Sequence, residues 1–213
     1  MKQALIIFVV LFAVYSICTA EETPEQIVKK VEDNFNKSGA MSIDFKEIYQ
    51  WKLTGEEHTT NGNLVMQGQD KFRVSTDDQI IVSNGSTLWT FSKPSNRVVV
   101  DKLKKNDNTL LPRKIFLEYT EDYRVFSDGS ESLSGTECWV LKFTDEKGDK
   151  LFPKVRVWID KHTFMPGKIE QWDLSGNVTI FIIKKIKTGI TVSKNEFYFK
   201  TPEGAELIDL RSM

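Results

Sequence analysis

The sequence predicts a mainly β domain built on a long succession of antiparallel strands. Three observations predict it. Apolar and polar residues alternate with a period of two, and the alternation recurs about every ten residues. Turn signals such as Gly68, Thr76-Asp77-Asp78 and Lys93-Pro94-Ser95 separate the runs, and the connections are too short for βαβ units. Helical spacing appears only near the N-terminus and once midway along the chain.

The chain starts with Lys2 and a nearly unbroken apolar run from Ala4 to Ile17, ending in Cys18-Thr19-Ala20. This is the pattern of a secretory signal segment, with cleavage expected after Ala20. The run is shorter than the roughly 20 apolar residues of a membrane anchor, and Tyr15-Ser16-Ile17 is a poor context for acylating Cys18. The expected division is a signal segment, 1–20, and one domain, 21–213. Removing Lys2 takes the 29 basic and 30 acidic residues to 28 and 30, close to neutral. Nothing in that balance calls for a nucleic acid. Cys138 is then the one remaining cysteine, so an intrachain disulfide is excluded and a small, buried or half-buried thiol is expected.

Thr23-Pro24-Glu25-Gln26 opens a helix: Thr23 suits the N-cap, Pro24 the first turn, and Gln26 completes a capping box. Ile27, Val31 and Phe35, with Val28, form one apolar stripe, so this helix must lie against something. Strands follow. Met41, Ile43 and Phe45 alternate with polar neighbours, then Leu64 and Met66, then Phe72 and Val74. In "QIIVSNGSTLWTF" (79–91), Asn84-Gly85 suggests a two-residue hairpin loop that pairs Ile80 with Trp89. Its faces are Ile80, Val82, Trp89 and Phe91 on one side, and Ile81 and Leu88 with polar residues on the other. "NRVVVDKL", "DYRVFS", "ECWVLKFT", "KVRVWID", "KIEQWDL" and "VTIFIIKKI" continue the series, and "EFYFK" (196–200) is expected to close it.

The insertion "KKNDNTLLPRKIFLEY" (104–119) breaks the alternation. Leu111, Ile115 and Tyr119 share helical spacing, Phe116 lies beside them, and Pro112 fits a first turn. A sheet of roughly eleven or twelve strands curls, and its inner face needs a partner. Two helices about 10 Å across cannot fill so wide a mouth. Either an apolar concavity is left, partly closed by helices, or the strands divide into a self-filled sandwich.

Several stretches resemble the LolA family, the periplasmic carriers of outer-membrane lipoproteins. "GNLVMQGQDKFRV" (62–74), "IIVSNGSTLWTF" (80–91), "VRVWIDKHTFMPGKIEQWDLSGNVTIFIIKKI" (155–186) and "NEFYFKTPEGAELID" (195–209) follow the family's motifs in order. The resemblance implies an unclosed half β-barrel of about eleven strands, with the N-terminal and inserted helices as a lid over the concave face. It implies a lipid-binding cavity, to which Phe45, Leu64, Met66, Phe72, Ile80, Val82, Trp89, Phe91, Leu111, Ile115 and Phe116 are assigned. It also implies partners: lipoprotein acyl chains, an inner-membrane lipoprotein-releasing ABC transporter, and an outer-membrane acceptor, LolB-like or the membrane itself. The implied state is a monomer in the periplasm. The family often has Arg-Pro where this chain has Gly68-Gln69, and that arginine typically latches the lid.

An enzyme is the competing class. No Ser/His/Asp set, zinc motif, Walker loop or dinucleotide fingerprint appears, and Asp160 near His162 reads as turn chemistry. No cofactor and no metal are expected. The other alternative keeps the fold: a periplasmic lipid-binding or lipoprotein-sensing regulatory module that carries a different lipid. The lysines of "IIKKIKTG" (182–189) suit an acidic partner or anionic headgroups, and a solvated edge strand is the plainer explanation.

Overall fold

The computed structural model describes residues 22–103 and 123–212. The signal segment and the insertion residues Leu111, Ile115 and Phe116 lie outside the described residues.

Helix α1 (Pro24–Lys37) begins as its sequence dictates. The Thr23 hydroxyl accepts from the Gln26 N–H, and the Gln26 side chain accepts from the Thr23 N–H at 3.0 Å. Ile27, Val28, Val31 and Phe35 are buried. The helix stops at Ser38, whose N–H bonds Phe35, and Gly39 turns the chain away at φ +64°.

Twelve strands form one sheet. In chain order they are β1 (Ala40–Gln50), β2 (Glu57–Gln67), β3 (Lys71–Thr76), β4 (Gln79–Asn84), β5 (Thr87–Ser92), β6 (Arg97–Lys102), β7 (Arg124–Leu133), β8 (Thr136–Thr144), β9 (Lys154–Asp160), β10 (Pro166–Trp172), β11 (Val178–Thr188) and β12 (Glu206–Asp209). Across the sheet the order is β12-β6-β5-β4-β3-β2-β1-β11-β10-β9-β8-β7. The sheet does not close on itself, so the mainly β, unclosed architecture implied by the resemblance is what the chain adopts. A sandwich would need a second sheet, and the described strands all belong to one. Consecutive strands β6 and β7 lie toward opposite ends of the sheet.

Three register shifts bend the sheet. In the β1–β11 ladder, Asp44 faces Lys185 while Phe45 faces Ile183, leaving Lys184 as an extra residue. Further shifts fall at Ser127/Ser130 and Pro166/Lys168. A bulge sharpens local twist and turns the strand, which is how a broad sheet becomes a trough. On the hollow side, Phe45 lies flat across Gly62, its partner in β2. A Cβ on Gly62 would sit within 2.9 Å of three carbons of that ring. Gly62→Val should therefore displace Phe45 and destabilise the fold by about 1–3 kcal/mol, the usual cost of overpacking, read as a lower urea midpoint.

Two expectations are corrected here. "EFYFK" is not a strand: residues 194–197 form turns, and the closing strand is β12, which pairs parallel to β6. The hairpin at Asn84-Gly85 also closes differently. Ile80 faces Phe91, Val82 faces Trp89 and Ser83 faces Leu88, so the loop is Gly85-Ser86 with Gly85 at φ +98°. A positive φ at the first loop position belongs to a glycine-first turn. The Asn84 side chain occupies itself instead with the backbone N–H groups of Ser86 and Thr87. The ladder slips by two positions in summed register, so the grouping of side chains onto faces survives.

Candidate functional site

Opposed residues of a ladder share a face, so the pairing assigns every side chain to one side of the trough. Met41 faces Met66, which faces Phe72, then Ser83, Leu88 and Asp101. Ile43, Leu64, Val74, Ile81, Thr90 and Val99 follow the parallel track. From the other half, Ile183, Phe181, Ile169, Val157, Leu141 and Phe143 join the same side. This is the concave face. The α1 side chains Ile27, Val28, Val31 and Phe35 share one apolar cluster with it.

The helix covers that face unevenly. It leans toward β7 and the β9–β10 turn, where Asn34 Nδ2 donates to the Thr163 carbonyl at 3.0 Å and Lys30 Nζ sits 4.7 Å from the centre of the Phe164 ring. Phe45, Leu64, Met66 and Phe72 are no more than 4% exposed. Toward β4–β6, Ile81, Leu88, Val99 and Leu103 are only half-buried. The concave face is thus a dry region near the helix that grades into an accessible apolar strip.

Of the residues expected to line a cavity, Phe45, Leu64, Met66 and Phe72 do come together on the concave face. Ile80, Val82, Trp89 and Phe91 do not. They share the opposite, convex face with Arg73, Val98 and Val100. Their cover is the chain's own C-terminal segment. Arg73 donates from Nε to the Glu196 carbonyl at 2.9 Å and from Nη2 to the Tyr198 carbonyl at 3.1 Å. Between those anchors Phe197 is 5% exposed. Phe199 stacks on Phe91 with ring centres 5.6 Å apart. The half-buried residues that sequence reasoning missed are Ile81, Leu88, Val99 and Leu103. Parity from Phe72 would have found the first two, had the β3–β4 register been known.

Toward the Gln50 end of β1 the concave face turns polar. Glu47 faces Phe181 on one side and Thr60 on the other, with Tyr49 facing His58 beyond. Burial pushes the Glu47 carboxyl above its ordinary value, and His58 offsets this only in part. A carboxyl raised by burial favours the folded state most while it is protonated. That stability is full below the ordinary pKa of about 4.5 and is lost as pH rises through the folded value. Glu47→Gln should therefore be more stable than the parent at pH 7. The difference should vanish near pH 4 in paired urea titrations.

Gly68 lines a cleft of about 150 Å³ with Phe35, Met41 and Met66. The position where the family often has arginine thus lies beside the C-terminal turn of α1. Gly68 sits at φ +64°, so an arginine grafted there would carry backbone strain of about 1–2 kcal/mol.

Asp160 accepts from the backbone N–H groups of His162 and Thr163 at 2.7 and 3.2 Å. Burial alone would raise it, but these bonds win and hold the carboxyl below its usual range. It is occupied in closing a turn. Cys138 is buried and its thiol is pushed up by burial and by Asp160, which disfavours a nucleophilic thiolate. Among the described residues, no group of three or more His, Cys, Asp or Glu could hold a metal ion, and no helix is long and apolar enough to cross a membrane.

A family profile described as an uncharacterized protein matches residues 114–198. An uncharacterized protein of Methanocaldococcus jannaschii is 24% identical over 210 residues; the match covers 97% of this chain and 60% of that relative's length. The outer-membrane lipoprotein carrier protein of Francisella tularensis subsp. tularensis is 23% identical over 218 residues, covering 98% of each. Among solved structures, an uncharacterized conserved protein from Thermus thermophilus shares the fold at a TM-score of 0.59 and 14% identity, covering 87% of this chain and 98% of that one. The similarity to that carrier protein runs along nearly the whole chain, as does the resemblance read from the motifs.

Proposed function

We propose that the protein carries lipid-modified proteins, sheltering their acyl chains against the concave face beneath α1. The observation that supports this reading most is the uneven cover of that face. A buried cluster under one amphipathic helix continues into the half-buried strip of Ile81, Leu88, Val99 and Leu103. An acyl chain would enter along the strip and displace the helix to reach Phe45, Leu64, Met66 and Phe72. Leu111, Ile115 and Phe116 are kept in the proposal as further contacts.

The energetics are compatible with loading and release. Exposing four α1 side chains costs about 1.5–3 kcal/mol each. An acyl chain of some 14 methylenes gains about 0.8 kcal/mol per methylene, so the two terms are of the same size. Exchange of helix for lipid is then close to balanced, as a carrier requires. The binding is non-catalytic. In the full reading, residues 1–20 direct export and are removed, and the monomer works in the periplasm. It accepts cargo from an inner-membrane lipoprotein-releasing transporter and yields it to an outer-membrane acceptor.

Mass spectrometry of lipid co-purifying with the mature protein tests the reading. Acyl chains attached to protein are expected. A free lipid or glycolipid would replace the transfer role with carriage of that lipid, and an empty protein after expression in an exporting host would remove both.

A further inference from the structure

We infer that the sheet has a docking slot for an extended acidic peptide, along the open side of β11. Strand β11 pairs with β1 as far as Thr188, but with β10 only from Val178 to Ile182. Among the described residues, Ile183–Thr188 are therefore laddered on one side alone. Six residues of strand run about 20 Å, and alternate residues direct their N–H and C=O groups to the unpaired side.

The split has a local cause. β10 starts at Pro166, which has no N–H to give, and the register shift between Pro166 and Lys168 steers the strand away. Gly167 permits this, since a Cβ there would lie 2.8 Å from a Leu133 methyl. What remains is a groove of about 530 Å³. Ile183, Lys185 and Ile186 line one side, and Leu133, Met165 and Pro166 line the other.

Charge selects the occupant. Lys185 faces Asp44 and Lys187 faces Ser42 on the convex side, whereas Ile183 and Ile186 point to the concave side with Phe45 and Ile43. Lys184, the extra residue, is held by Asn61 at 2.7 Å. Lys185 and Lys187 are exposed. A second copy of this chain would set lysines against lysines, which destabilises a cross-strand pair. A strand with acidic residues outward and apolar residues inward matches both faces at once. Main-chain bonds would supply affinity and the alternate side chains specificity, as in strand addition generally.

The test uses the mature protein and an unacylated, end-capped ten-residue peptide alternating Glu with Val. Amide hydrogen exchange is followed with and without peptide. Slowed exchange at Ile183–Thr188 and in the facing 163–167 segment, and not elsewhere, is expected. The variant carrying Lys185→Glu and Lys187→Glu should bind that peptide several-fold more weakly and prefer the same peptide with Lys for Glu. No protection of β11 at millimolar peptide overturns the inference. So does protection of the β7 or β12 edge instead, or affinity indifferent to the charge swap. The peptide carries no lipid, so the outcome is independent of the acyl-chain reading.

Discussion

Aspartate at both Ile81 and Leu88 is expected to abolish retention of acyl chains while the sheet stays folded. The two side chains lie diagonally across the β4–β5 ladder on the concave face, since Ile81 faces Thr90 and Leu88 faces Ser83. Both are half-buried, so in the empty protein each carboxylate can remain hydrated and the cost to folding is small. A lipid chain laid along the strip would have to strip that water. The effective penalty for burying an unpaired carboxylate is several kcal/mol per ion, comparable to the gain from half a dozen methylenes or more. Lipid recovered per mole of protein should fall to background in mass spectrometry, while far-ultraviolet circular dichroism and the urea midpoint stay close to the parent. Undiminished lipid in the double variant would mean that the strip is not the path of the cargo.

The contrast with the convex face shows what the sequence could and could not reveal. Period-two alternation identified the first eleven strands, because one face of each is apolar, and the capping box and stripe of α1 located the helix. Alternation even grouped Ile80, Val82, Trp89 and Phe91 correctly as one face. What it could not say is which side of the sheet that face belongs to. Both sides of β3–β6 are apolar here, one beneath the C-terminal segment and one toward the concavity, so hydrophobicity alone does not break the tie. The tie is broken by Arg73, whose guanidinium reaches two carbonyls more than a hundred residues away. Such a bond leaves no local pattern. "EFYFK" misled for a related reason: Phe197 packs inward and Tyr198 outward, as in a strand, but the segment lies across the sheet instead of joining its ladder. β12 was missed because Glu206–Asp209 is short and largely exposed. The open side of β11 was equally hidden, since its cause is where β10 begins and not anything within β11.

The same geometry makes Phe91→Asp a stability mutation and not a binding one. Phe91 stacks on Phe199 and faces Val98 across the ladder. Truncating a packed phenylalanine costs about 3–5 kcal/mol, and the carboxylate adds a desolvation penalty where Val82, Val98 and Val100 are buried. The segment from Ile190 to Ala205 would then lose the Phe199 contact, leaving Phe197, the Arg73 bonds and the β12 ladder to hold it. For a domain of this size each kcal/mol is worth roughly 2–4 °C, so melting should fall by roughly 10 °C. Limited proteolysis should begin within 190–205, before any strand of the trough is cut. Release of β12 would also bare the edge of β6, an invitation to pairing between molecules, so the variant should self-associate as it loosens. Lipid bound per folded molecule, measured below the new transition, should match the parent. If Phe91→Asp instead emptied the protein of lipid without lowering its melting temperature, the convex face would have to be reassigned to the cargo.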